Sequence, residues 1–207
     1  KNTTSSYNTG SGTYSLYNNT TGSDNTASGY KALFCNTTAS YNAAFGKNTL
    51  KVNTTGTKNT ALGTFTLLAN STGDLNTASG YRALQANTTA SNNTAVGACS
   101  LFANTTGTAN TAVGMNSLVA NTSGHNNTSS GYRALSENTT GCRNVAIGAC
   151  ALDDNTTGNN NVAVGFMSLV NNTTGGFNIG VGKQVLFSNT TGTLNTASGS
   201  YAMYKNT

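Results

Sequence analysis

Leucine recurs every 17 residues along this chain, at Leu16, Leu33, Leu50, Leu67, Leu84, Leu101, Leu118, Leu135, Leu152, Leu169 and Leu186, and Met203 closes the series. Four residues before each stands a glycine, from Gly12 to Gly199, and four before that an asparagine, from Asn8 to Asn195. Two residues before the glycine the chain is small, almost always Ala, as at Ala27, Ala44, Ala61, Ala78, Ala95 and Ala112; only Gly10, Ser129 and Gly180 depart from it. The neighbours of that alanine swing between Thr or Ser and Val, Ile, Leu or Phe. A period of 17 is too short for a helical hairpin and suits one coil of a solenoid. The pattern predicts an all-β fold, a β-solenoid (β-roll or β-helix) of about twelve 17-residue coils with two short strands and two turns in each. Strand alternation puts the alanine inside the coil and its neighbours outside. The leucine column, Leu33 to Leu186 above all, fills the rest of the interior. Residues 1–207 read as a single tandem-repeat domain, and as a segment of a longer array because both ends fall within the pattern.

Composition supports stacking rather than a thick core. Charged residues are 7% of the chain, against about a quarter in an ordinary globular domain. A chain this rich in Asn, Thr, Ser and Gly suggests disorder, yet disordered segments do not hold one Leu per period in strict register. Proline is absent, as a continuous ladder requires, since each proline deletes a donor. The net charge of +5 is carried by Lys and Arg scattered singly, without the basic run that marks nucleic-acid binding. No apolar run approaches membrane-spanning length and no signal-peptide pattern appears.

The residue types that carry catalysis are sparse. His125, the one histidine, sits in a turn column, and Asp24, Asp74, Glu137, Asp153 and Asp154 form no recurring carboxylate pair or metal-ligand spacing. No catalytic base, no metal site and no cofactor is expected, and the chain does not read as an enzyme. Cys99 and Cys150 share a column three coils apart, about 14 Å, beyond disulfide reach. They, Cys35 and Cys142 read as free thiols.

Two further patterns suggest surfaces. The column Asn2, Asn19, Asn36, Asn53, Asn70, Asn87, Asn104, Asn121, Asn138, Asn155, Asn172 and Asn189 opens an Asn-x-Thr or Asn-x-Ser triplet in every coil, so each asparagine is a candidate N-glycosylation acceptor. The other reading of the column is an internal asparagine ladder at a corner. A longer period of 51 residues repeats Gly-Tyr-Lys/Arg-Ala-Leu at Tyr30–Lys31, Tyr81–Arg82 and Tyr132–Arg133, which forms a row of edge contacts able to stack on sugar rings or meet a neighbouring chain.

Val145-Ala146-Ile147-Gly148, Val162-Ala163-Val164-Gly165 and the Asn-Thr-Ala-Val-Gly copies resemble the head repeats of trimeric autotransporter adhesins and the arrays of phage tail-fibre stalks. The resemblance covers every coil and implies a β-roll stalk, often trimeric, displayed outside the cell or on a virion. The expected function is a structural or adhesive extracellular fibre or filament subunit, acting as a rigid rod with a glycan possible on each coil. Its expected partners are copies of itself, as a trimer, another homo-oligomer or a head-to-tail filament, with glycans or cell-surface carbohydrate beside them. Nucleic acid and membrane insertion are not expected. Two alternatives stand beside this reading: an ice- or polysaccharide-binding solenoid using the threonines at Thr37, Thr54, Thr88 and Thr105, and a receptor-binding tail-fibre stalk.

Overall fold

A computed structural model describes residues 4–206. The chain winds into a single parallel β-solenoid. Twelve three-residue strands, β1 (Thr9–Ser11), β2 (Thr26–Ser28) and onward in steps of 17 residues to β12 (Thr196–Ser198), form one sheet in sequence order. Every pairing is parallel and offset by one full period, so that Thr94 lies beside Thr111, Ala95 beside Ala112 and Val96 beside Val113. Each residue therefore has its own column mate as its neighbour, which is why the repeat tolerates no slip.

Each coil carries one strand where two were expected. The other half of the coil also bonds from coil to coil, with Leu101 N–H donating to the Ser117 carbonyl at 3.0 Å and Ala103 N–H to the Val119 carbonyl at 3.0 Å. Its backbone is not extended, however. The second and fourth residues after the recurring glycine are left-handed throughout, as Cys99 (φ 55°) and Leu101 (φ 49°) are, and so is a turn residue farther on, Ala109 (φ 56°). Left-handed geometry costs on the order of 1 kcal/mol for a non-glycine residue, and here it is held by ladder bonds on both sides. It also explains why the interior column holds Leu or Met and never Ile or Val, since a β-branched side chain is a genuine outlier at positive φ.

The core is a stack of thin layers. Ala95 and Leu101 of one coil, like Ala112 and Leu118 of the next, are fully buried, and all ten leucines from Leu33 to Leu186 share that burial. Where Ser129 replaces Ala, its hydroxyl finds the hydroxyl of Ser117 inside the same coil layer. Gly97 and its column adopt φ near +130°, and a Cβ on Gly97 would stand 2.6 Å from the Gly114 backbone. Only glycine fits there. The glycine of Asn-Thr-Thr-Gly differs, because its φ is ordinary and Ala39 and Ala90 replace it in two coils.

Candidate interaction surfaces

The two asparagine columns meet inside the corner of the coil. Each asparagine of the first column accepts the backbone N–H of its mate in the next coil, as Asn93 Oδ1 does from Asn110 at 3.0 Å. In the second column the amide itself donates along the stack, Asn121 Nδ2 to Asn104 Oδ1 at 2.8 Å. The second-column asparagines from Asn19 to Asn189 are all buried. Burial favours the ladder reading of this column over the glycan reading: Nδ2, the atom that would carry the sugar, donates to a neighbouring asparagine and to a glycine or alanine carbonyl. Asn2 lies outside the described residues. The threonines that follow are likewise committed to the ladder, since Thr37 Oγ1 donates to the Thr54 carbonyl at 3.3 Å and Thr88 Oγ1 to the Thr105 carbonyl at 3.2 Å, with Thr54 and Thr105 bonding in the same way. Each of these threonines is half-buried and spends its hydroxyl proton on the next coil.

Two surfaces remain open. The first is the outer face of the sheet. No strand residue carries a charge, and Val96, Val113, Ile147 and Val181 stand on it about two-fifths exposed, among threonines and serines. Thr60, Thr77, Thr94, Thr111 and Thr128 form an unbroken outward column of five.

The second is the edge formed by the residues one, two and five positions after the recurring glycine. Tyr30, Tyr81 and Tyr132 stand there with nearly equal exposure, 42%, 48% and 47%. Lys31 lies over Tyr30 at 5.2 Å and over Phe34 at 5.5 Å, and Arg82 lies over Tyr81 at 5.1 Å, within cation–π range. The third pair departs from the pattern. Arg133 turns to Asp153 at 3.3 Å and to Glu137 at 4.0 Å.

That departure exposes a cluster absent from the sequence reading. Glu137 and Asp154 occupy the same column in adjacent coils, and Asp153 sits one residue from Asp154, so three of the five acids converge on Arg133. Burial, then the charges of Asp153 and Glu137, hold the Asp154 carboxyl above its ordinary range. Asp153 chiefly holds the Arg133 guanidinium above its own ordinary value, and burial pushes the Cys150 thiol up. The 17-residue step between Glu137 and Asp154 was the available signal, because the period itself makes them neighbours. All four cysteines are free. Among the described residues no group of three His, Cys, Asp or Glu side chains could hold a metal ion, and no helix is long and apolar enough to cross a membrane.

Fold and surfaces together define a class, the parallel β-solenoids built from one short repeat. No protein-family model matches the chain, and neither a curated protein nor a solved structure matches it. The likeness to adhesin heads accordingly rests on the short motifs themselves.

Proposed function

We propose that this chain is a rod segment of a fibre displayed outside the cell or on a virion, and that it associates with copies of itself. One observation carries the reading: twelve coils bond in register with no insertion, bulge or change of period. Each coil adds about 4.8 Å, so the twelve reach roughly 58 Å along the axis. Such a stack supplies length and stiffness, and its stability grows with each neighbour interface rather than with one centre. The uncharged, half-exposed strand face is the surface offered to another copy, because burying it removes apolar area from water without stranding a charge. Small-angle scattering tests the rod, which should give an elongated particle whose length scales with coil number. Sedimentation tests association, with Val113→Lys and Ile147→Lys expected to abolish it. A compact particle, or a monomer unaffected by those changes, overturns the corresponding half of the proposal.

The outward threonine column from Thr60 to Thr128 favours one second reading, ice binding by the strand face. The threonines recur about every 4.8 Å along the axis, beside a second outward column of Leu62, Ser79, Val96, Val113 and Ser130. Thermal hysteresis by the monomer would select this reading over the rod.

A further inference from the structure

Lys and Arg are scattered along the chain but not around the coil. Three of the seventeen columns, those one, two and five residues after the recurring glycine, hold twelve of the sixteen Tyr and Phe residues and six of the ten Lys and Arg residues. Coiling draws these columns together, as Tyr14 against Tyr17 at 5.4 Å, Phe65 against Tyr81 at 6.3 Å and Lys183 over Tyr201 at 5.4 Å all show. The only acid in the three columns is Asp153, which is paired with Arg133. Among the described residues the other five cations of the edge make no ion pair. The edge is thus a strip that carries an aromatic or cationic side chain in ten of the twelve coils, the coils of Gly114 and Gly148 being the exceptions.

We infer that this strip binds a linear acidic polysaccharide of low charge density. The chemistry fits in three respects. The apolar C–H face of a pyranose ring packs on exposed tyrosine rings, and the phenol hydroxyls reach the sugar hydroxyls. The five cations outside the Arg133 cluster face no protein carboxylate, so a ligand carboxylate can take that place, while Lys31, Arg82 and Lys183 also lie over tyrosine rings. Five unpaired cations over twelve coils average one about every 12 Å, whereas a nucleic-acid strand presents a phosphate about every 3.4 Å. That spacing suits a polymer with one carboxylate per disaccharide and matches nucleic acid poorly.

The strip also contains a hollow of about 240 Å³, lined by Asn116, Val119, Tyr132, Arg133, Ser136 and Glu137. It is smaller than the pockets that take drug-sized ligands and has room for one sugar ring beside Tyr132. Because Arg133 is paired with Asp153 and Glu137, this position suits the uncharged sugar of the repeat.

The strip uses other columns than the strand face, so the inference stands whether or not rods associate. Titration calorimetry of the folded chain with hyaluronan fragments, dextran and a single-stranded oligothymidylate tests it. Hyaluronan should bind, at least tenfold more tightly than dextran, and should weaken as salt rises. Tyr30→Ser/Tyr81→Ser/Tyr132→Ser should lose at least tenfold in affinity, with circular dichroism checking the fold. Lys47→Ser/Arg82→Ser/Lys183→Ser, the first and last exposed and Arg82 half-buried, should flatten the salt dependence. No binding of hyaluronan, full binding by either folded variant, or tighter binding of oligothymidylate overturns the inference, the last in favour of nucleic acid.

Discussion

Asn93 and Asn104 donate to the same carbonyl oxygen, that of Gly107, each at 2.9 Å. The two asparagine columns are therefore one device: one amide arrives from the preceding coil and the other from the same turn, and together they brace the corner. Asn104 also donates to Asn87 at 3.1 Å and accepts from Asn121 at 2.8 Å. Asn104→Ala leaves three buried partners short of a bond, and urea unfolding should show a loss of about 2–4 kcal/mol. Asn104→Asp should be worse, since it places a carboxylate against acceptors in a buried stack.

The same burial predicts the mass of the molecule. The folded chain, produced in a host that attaches N-linked glycans, should show no change in intact mass after enzymatic glycan release across the described sites Asn19 to Asn189. A mass loss from a folded, protease-resistant rod would overturn the ladder.

The left-handed leucine gives an unusual substitution order. Leu118 sits at φ 51° and is fully buried. Leu118→Met should cost less than about 1.5 kcal/mol, because an unbranched Cβ fits this backbone as leucine does. Leu118→Ile, normally a mild exchange, should cost more than Leu118→Met and approach the ~2–5 kcal/mol of Leu118→Ala. Thermal melts of the three variants measure the order.

Ser129 should be dispensable. Its hydroxyl meets Ser117, but in the neighbouring coil the equivalent Ser100 bonds to the Gly97 carbonyl at 3.0 Å while Ala112 stands in the place of Ser129. Ser129→Ala lets Ser117 adopt that bond, and the melting temperature should change by no more than a few degrees.

The acidic cluster sets a pH dependence. A carboxyl whose folded-state pKa is raised favours the fold while protonated and opposes it once ionised. The stability linked to Asp154 is thus present below its ordinary carboxylate range and is lost as pH rises through the raised folded-state value. Asp154→Asn should melt higher than the parent at pH 7, and the gap should close as pH falls below that range.

The period, the buried alanine and leucine columns and the outward strand neighbours were legible in the sequence because each follows from spacing alone. What was not legible depends on backbone geometry or on the third dimension of the stack. Leu101 reads as a strand residue until its φ is known, which is why the second strand was expected. Asn104 satisfies a glycosylation triplet whatever its surroundings, and only burial distinguishes acceptor from ladder. Lys47, Arg82 and Lys183 look dispersed because a linear reading counts residues, while a solenoid sorts them by their remainder on division by 17.

Each coil is held only by the one before it and the one after, so tension applied at the two ends reaches every interface in series. When an end coil lets go it releases 17 residues, roughly 50 Å of slack beyond the coil's own rise, while the remaining stack is left with a fresh end much like the last. A rod of this design gives way in small, nearly equal steps that can rewind, so it can absorb a pull without parting.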